Sequence, residues 1–524
     1  MDSYSFDVLI IGTGISGLSS AIKLAESGMS VGIVTKEENP NETNTYYAQG
    51  GIIYSEPNDH KLVSDIDSAS SYTTNKNAAN ILLNRSGEIL SDILLNKVKT
   101  NFSRDNSGNL KFTREAAHSL DRIIYQGDFT GKEIQISLLN YINNKERFPN
   151  VSIIMNHTAI DLLTPLHHGM GLQQRYEENK VVGAYLLNQK TKDVIKVIAR
   201  KTILATGGIG ALYLHHSNSE GARGDGHAMA RRAGAQLINM EFVQFHPTTF
   251  YDSSSGRRFL ISEAVRGEGG VLINSKGNCF MQEYHPAKEL APRDVVARGI
   301  AGEMIKSKHE CAYLDISSKN KDWIQERFPT IFNHCLKNNI DISQNPIPVV
   351  PSAHYSCGGV KTDLKGKTTL QNLYAVGEVA CNGLHGANRL ASTSLLEGLT
   401  WGHIAAEDIL RDDKNNLLDE RYPAQKIRDW ETCSGESDVA LIEQDWQTLK
   451  QTMWNYVGLI RTANRLDRAS SMFRELLIQT EVFYKGARLR DSLIGLRNAL
   501  EVGIYVLNSS RRNKESTGCF FRKN

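Results

Sequence analysis

The sequence predicts an α/β protein, with a Rossmann-like dinucleotide-binding domain at its start and a helical bundle at its end. Three observations carry this. Residues 7–17 read Asp-Val-Leu-Ile-Ile-Gly-Thr-Gly-Ile-Ser-Gly, an apolar run ending in Gly-x-Gly-x-x-Gly, with a helical pattern from Leu18 onward. Residues 197–210 show a second β-branched run entering a small-residue turn, Ala205-Thr206-Gly207-Gly208. After residue 438 the pattern is helical, with apolar residues at steps of three and four. In the first of these, Gly12 makes the turn, Gly14 lets the backbone approach a pyrophosphate, and Gly17 allows close helix–strand packing. The helix N-terminus then faces the phosphates. A glycine-rich turn without any ligand can match the same pattern, but the strand before it and the helix after it favour a dinucleotide.

At 524 residues the chain exceeds one ordinary core and suggests roughly two to four domains. A net charge of +2, with 40% hydrophobic and 23% charged residues, calls for neither nucleic acid nor an anionic membrane. No run approaches the ~20 apolar residues of a membrane span, and the first residues lack the pattern of a secretory leader. The seven cysteines are scattered without a Cys-x-x-Cys pair, so neither a disulfide framework nor a metal site is expected. The expectation is a cytoplasmic enzyme with reduced thiols.

Along the chain, Gly28 closes the first helix and residues 30–35 read as a second parallel strand. An NAD site places an acidic residue about 20 residues past the glycines. Here Thr35-Lys36 stands at the strand end, with Glu37 and Glu38 expected beyond it. Lysine suits an NADP phosphate and also some flavoproteins, so the cofactor stays open at this point. Residues 44–52, Asn-Thr-Tyr-Tyr-Ala-Gln-Gly-Gly-Ile, suit a backbone lying against a flat ring or a phosphate, or a simple loop. In residues 62–98, Leu82, Ile89, Leu90, Ile93 and Leu94 fit one buried helix face. Arg114-Glu115 reads first as a solvated pair. A helix starts at Thr130, and residues 151–155 and 181–188 are strand-like.

Asp225 opens a helix, where capping is its ordinary role. Gln244, His246 and Thr248 alternate along an extended segment, which places them on one face. Pro292 and Asp294 mark a helix start that fixes Arg293, and another helical stretch covers 323–336. His354 lies among small residues. The strand 373–376 ends in Gly377-Glu378, a carboxylate placed for sugar-chain hydroxyls. Small polar residues at 391–394 open a long helix, whose N-terminus can stabilise negative charge on a ring. Residues 412–437 read as a linker, the remainder as three helices, and Arg511, Arg512 and Lys514 as a solvated tail.

Tyr47-Ala48-Gln49-Gly50-Gly51-Ile52, Gln244-Phe245-His246-Pro247-Thr248, Ala291-Pro292-Arg293-Asp294 and His385-Gly386-Ala387-Asn388-Arg389 occur in that order. Through them nearly the whole chain resembles the succinate dehydrogenase and fumarate reductase flavoprotein superfamily, most closely its L-aspartate oxidase branch. The resemblance implies a Rossmann-like FAD-binding domain split into residues 1–239 and 354–415. It further implies an inserted α+β capping domain over 240–353, and a linker with a three-helix domain over 416–524. FAD contacts are implied at Gly12, Thr13, Gly14, Ile15, Ser16, Gly17, Lys36, Asn44, Thr45, Tyr46, Tyr47, Ala48, Gln49, Gly50, Gly51, Asp225, Glu378, Ser394 and Leu395. Lys36 then needs no NADP. Membrane-bound relatives attach FAD through a histidine; Asn44 holds the matching position and cannot form that bond, so the FAD is expected to be non-covalent.

A dicarboxylate substrate needs several cationic or donor groups, each charge-assisted bond contributing about 1.5–3 kcal/mol. The resemblance supplies His246, His354, Arg389 and Arg293, with Gln244, Thr248, Ser262 and Glu263 nearby. It makes Arg293 the proton-transfer residue, a role needing a strongly tuned setting, and Glu115 the carboxylate that orients the substrate ammonium. Two departures stand out: Ala116-Ala117 where the family often has Gly-Gly, and Thr517 where it usually has arginine. The implied reaction is oxidation of L-aspartate to iminoaspartate by hydride transfer to flavin N5. Reoxidation is by oxygen or fumarate, and the product passes to quinolinate synthase in NAD biosynthesis. A soluble fumarate reductase is the alternative. A redox-inactive FAD protein that docks a partner through its helical tail is a third reading.

Overall fold

The computed structural model describes residues 4–56, 58–115, 117–252, 256–415 and 417–523. Its principal sheet has seven strands. Val151–Ile154, Val31–Val34, Tyr4–Ile11 and Val194–Leu204 lie parallel side by side, and Gly183–Asn188 and His157–Leu163 continue the sheet antiparallel. Val8 to Ile11 are buried, as expected of an apolar run covered on both faces. The long strand Val194–Leu204 changes partners along its length. Val194 to Ile198 pair with Leu187 to Gly183, while Thr202 to Leu204 pair with Leu373–Ala375 from far later in the chain. Ile11 thus lies level with Val34 and Leu204, so several parallel strands end along one edge. Ligands of open parallel sheets bind at such an edge.

A six-stranded sheet contains Val243–Phe250 and Ile347–Ser356, paired antiparallel, and is packed by the helix Arg293–Ser307. The stretch 323–336, expected as one helix, forms two, Lys321–Arg327 and Pro329–Lys337. Pro329 lacks an N–H and drives Phe328 out of helical geometry. The apolar stripe through Leu82 and Ile89 runs from Lys76–Leu90 into a wider π-turn, Ser91–Lys97, which keeps Ile93 and Leu94 buried.

Two helices cross closely behind the sheet edge. Ile15–Glu26 meets Thr393–Lys414 through small residues. Ser19 Oγ donates to the Leu399 carbonyl at 2.7 Å and Ser20 Oγ to the Gly402 carbonyl at 2.8 Å. A Cβ at Gly402 would lie 2.3 Å from the Ser16 carbonyl oxygen. Both helices consequently begin at the same place.

The C-terminal helices Val439–Val457, Ala463–Gly486 and Asp491–Arg512 pack through Leu449, Met453, Phe473, Leu496 and Leu500. The expected linker is held down: Ile427 is buried, and the Arg428 carbonyl accepts from Tyr185 Oη at 2.6 Å. Arg511, Arg512 and Lys514 are exposed, but the chain beyond them folds back. Cys519 N–H donates to the Ala387 carbonyl at 3.0 Å, and buried Phe520 lies under the Arg461 guanidinium. No helix among the described residues is long and apolar enough to cross a membrane, and no cluster among them could hold a metal ion.

Gly402→Ala is expected to destabilise the protein by about 1–3 kcal/mol, because backbone meets backbone and no side chain can yield. Thermal unfolding of the purified variant measures this; an unchanged Tm would show that the crossing has slack.

Candidate active site

The sheet edge, the starts of the two crossed helices and the second sheet enclose a cleft with about 1680 Å³ of empty space, its mouth included. At one end Gly12 turns with φ +118°, and a Cβ there would lie 2.1 Å from the Ala205 carbonyl oxygen. Thr13, Gly14, Ile15 and Ser16 line the cleft, and Ile15 N–H donates to Thr45 Oγ1 at 3.1 Å. Gly17 does not line it. Its missing Cβ would lie 2.3 Å from the Gly12 carbonyl oxygen, so it seats the helix on the turn rather than touching a ligand.

Farther along this wall Lys36 Nζ lies 2.6 Å from Asp225 Oδ2 and donates to the Gly221 carbonyl at 2.8 Å. Glu37 also lines the cleft, with burial raising its carboxyl pKa. This is the acidic residue about 20 positions past the glycines. It lies beyond the strand, as the sequence predicts; the strand ends at Val34, and the residues after it turn into the cleft.

Toward the other end Asn44 Nδ2 donates to Glu378 Oε2 at 3.1 Å, while Asn44 Oδ1 accepts from Ser219 N–H at 2.9 Å. Glu378 Oε1 accepts from Ser356 N–H at 3.0 Å; burial pushes its carboxyl up to about 7 against these bonds. Thr45, Tyr47, Ala48, Gln49, Gly50, Gly51, Ser394 and Leu395 complete this wall. Tyr46 lies outside it, its ring edge-on to Tyr47 at 5.4 Å and facing Lys132 Nζ at 5.8 Å.

His246, Ser262, Glu263, Arg293, His354, Arg389 and Glu115 gather in the same cleft. Gln244 and Thr248 are not on its surface. The strand Val243–Phe250 is buried on both faces, and its register shifts after Gln244 and after His246, which breaks the expected alternation. Gln244 Nε2 instead donates to Asn388 Oδ1 at 2.7 Å and to the Arg389 carbonyl at 2.9 Å, bracing the arginine's loop. Thr248 Oγ1 donates to the Ile261 carbonyl at 2.9 Å.

The electrostatics are uneven. Burial, then Arg293, holds His246 far below its ordinary pKa; burial, then Arg389, does the same for His354. Both imidazoles are neutral at pH 7. The Thr248 backbone occupies Nδ1 of His246, and Ser217 Oγ lies 2.8 Å from Nδ1 of His354, leaving Nε2 of each ring for a ligand. Arg389 is buried with its guanidinium 4.7 Å over the Tyr355 ring. Arg293 Nε donates to Glu263, and Arg266 Nη2 lies 3.7 Å from that carboxylate's other oxygen. Burial raises the Glu263 carboxyl, but Arg293 and Arg266 outweigh it and hold it low. Among the described residues, Arg293 Nη1 and Arg389 Nε are buried without a hydrogen-bond partner. Such guanidinium groups suit an incoming carboxylate.

Opposite them stands Glu115, accepting from Ser392 Oγ at 2.9 Å. Burial raises its pKa, with Arg293 opposing. Only Arg114 of the expected solvated pair behaves as one, pairing with Asp121 at 3.4 Å on the surface. The Glu115 loop is pinned by His118 Nε2, 3.0 Å from the Ala391 carbonyl oxygen, and by Arg122 between Asp59 and Asp65.

The FAD binding domain family matches residues 7–395. The chain is 40% identical to L-aspartate oxidase 1 of Ralstonia nicotianae over 99% of its own length and 95% of the relative's. It is 38% identical to L-aspartate oxidase of Vibrio cholerae, over 98% and 95% respectively. The chain belongs to the L-aspartate oxidase family. A solved chain of E. coli quinol fumarate reductase superposes with a TM-score of 0.87 at 25% identity, covering 100% of this chain and 92% of that one. Mycobacterium smegmatis Sdh1 gives 0.82 at 28% identity, covering 100% and 89%. This is the FAD-binding flavoprotein fold, with mixed sheets and a C-terminal helical region.

The residues fit FAD. Gly14 and Gly207 line the cleft with almost nothing against their Cβ positions, so the backbone is open to a ligand there, and two helix N-termini open on the cleft. Sequence reasoning missed Ser217, Ser219 and Ser392, which line the cleft from loops without a motif of their own, and Tyr355, which reaches it from the strand Ile347–Ser356. Of the two alanines that depart from the family's glycines, Ala116 lies outside the described residues. Ala117 has φ +67°, a left-handed conformation that disfavours any Cβ. Ala117→Gly is therefore expected to stabilise the protein by about 1 kcal/mol, seen as a raised Tm; an unchanged or lowered Tm would count against strain in this loop.

Proposed function

We propose that this protein oxidises L-aspartate to iminoaspartate with non-covalently bound FAD. The observation that carries the reading is the Glu115 carboxylate, which accepts from Ser392 Oγ, whereas Glu263 in the same cleft is taken up by Arg293 and Arg266, with Arg389 and two neutral histidines beside them. A dicarboxylate alone would need the cations; an amino dicarboxylate also needs an anion for its ammonium. Arg389 holds one carboxylate, and His246 and His354 offer Nε2 to the substrate's oxygens. Glu115 receives the ammonium and thereby orients Cα. Arg293 is placed to move the proton, with Glu263 the group that accepts from it and Arg266 stabilising the carboxylate behind. FAD, when bound, supplies the acceptor for hydride from Cα, and oxygen or fumarate takes the electrons onward. Asn44 offers an amide, which has no lone pair suited to a flavin linkage, and its two ends are already engaged by Glu378 and Ser219.

The same reading assigns residues 1–239 and 354–415 to a split FAD-binding domain, 240–353 to an inserted α+β cap, and 416–524 to the linker and helical domain. Support comes from Leu373–Ala375 joining the principal sheet beside Val194–Leu204. The strand Ile347–Ser356 runs through the 353/354 boundary. Seven free cysteines suit a cytoplasmic location, and the product would feed quinolinate synthase in NAD biosynthesis.

Anaerobic mixing of the FAD-loaded protein with L-aspartate should bleach the flavin absorbance rapidly. No bleaching, with reoxidation of pre-reduced flavin by fumarate, would replace this reading with a soluble fumarate reductase; silence toward both would leave a binding protein. Glu115→Gln should lower kcat/KM for L-aspartate by about 100-fold, the scale of a lost buried charge-assisted contact, while fumarate reduction changes far less. Equal losses would remove the amine-orienting role. The raised pKa of Glu115 means that acid neutralises it before an ordinary carboxylate. KM for L-aspartate should therefore fall as pH rises through its ionisation, and Glu115→Gln should flatten that slope.

A further inference from the structure

We propose that the last helix, Asp491–Arg512, is part of the cofactor site: through Asp491 it fixes Arg223, which in turn positions the Asp225 that lines one end of the cleft. Cofactor affinity then depends on the C-terminal helical module. This rests on the FAD reading above.

The contacts form an unbroken chain from the cleft to the helix. Lys36 and Asp225 line the cleft, 2.6 Å apart. Arg223 Nε lies 3.0 Å from the same Asp225 oxygen. Its two remaining nitrogens make a fork on Asp491, Nη1 to Oδ2 at 2.8 Å and Nη2 to Oδ1 at 2.7 Å. Asn498, buried on the same helix, donates from Nδ2 to Asp225 Oδ1 at 2.8 Å. Asp491 Oδ1 also accepts from Thr158 Oγ1 at 2.7 Å, and Thr158 lines the cleft too. One helix thus reaches the cleft by two routes, Asp225 and Thr158.

The packing is shaped for this contact. A Cβ at Gly495 would lie 2.5 Å from Arg223 Cζ, so the helix backbone rests directly on the guanidinium. A Cβ at Gly224 would lie 3.0 Å from Val502, one further close approach between the same segments. Three carboxylates, Asp225, Asp491 and Glu37, surround the two cations Lys36 and Arg223 here. Without Asp491 the Arg223 charge falls on Asp225 alone and competes with Lys36 for it, and the fork that fixes the guanidinium plane is gone. Burial opposes ionisation of Asp491, but Arg223 overrides it and keeps the carboxylate charged well into acid. Linkage requires the converse: bound FAD must stabilise this helix.

The test uses full-length apoprotein and added FAD. Equilibrium dialysis should show Kd for FAD raised about tenfold in Asp491→Asn and in Gly495→Ala, the scale of one charge-assisted contact. The rise in Tm that FAD produces should shrink in both variants. A purely structural role would lower the apo and FAD-bound Tm together and leave that gap intact, which would overturn the proposal, as would a Kd within twofold of the parent. If the variants do not fold, hydrogen exchange on the parent decides. FAD should slow exchange across 491–500 more than across 463–486, and equal effects would overturn the proposal. A parent that binds no FAD at all would overturn the underlying FAD reading, a result distinct from unchanged variants.

Discussion

The close crossing of Ile15–Glu26 with Thr393–Lys414 is the constraint on which the cleft depends. Three serines on one helix face two glycines on the other, and hydrogen bonds run from the serine hydroxyls into the second helix's carbonyls. Only small residues permit such an approach. Its consequence is that two helix N-termini, far apart in sequence, open on one space. The first faces the glycine turn, the second the loop of Arg389 and Ser392. Each terminus favours negative charge, which matches a cofactor carrying a pyrophosphate at one end and an electron-accepting ring at the other.

Around the ring end, charge is arranged by burial as much as by residue type. Burial, reinforced by two arginines kept in the same desolvated space, holds the neighbouring histidines neutral. Hydrogen-bond donors are thereby added without further positive charge. Glu263 is held ionised between Arg293 and Arg266, whereas Glu115 is biased toward its neutral form. Glu263 is thus already engaged by cations, whereas Glu115 ionises most readily with a cationic ligand beside it.

Two of the contacts between the C-terminal part and the rest bear on the cleft. Its final helix meets Arg223 and Asp225, and its tail returns to Ala387, two residues before Arg389. Pairing of Cys519 N–H with the Ala387 carbonyl, and Gln244 with Asn388 and the Arg389 carbonyl, clasps the arginine loop from both sides.

The sequence by itself determined the first strand, turn and helix, the terminal helices, and the ordered set of motifs that carry the flavoprotein resemblance. These are encoded locally: apolar period, glycines at fixed offsets, and charged residues beside small ones. The tertiary structure decided what each side chain faces. Bulges in Val243–Phe250 turned Gln244 and Thr248 from the cleft and left His246 in it, a displacement that a strict two-residue period cannot contain. Glu37 entered the cleft because the strand stops at Val34, and Gly17 was withdrawn from it by the Gly12 carbonyl. The Asp225–Arg223–Asp491 chain joins segments hundreds of residues apart. Such approach is set by packing of whole elements, which no local pattern records.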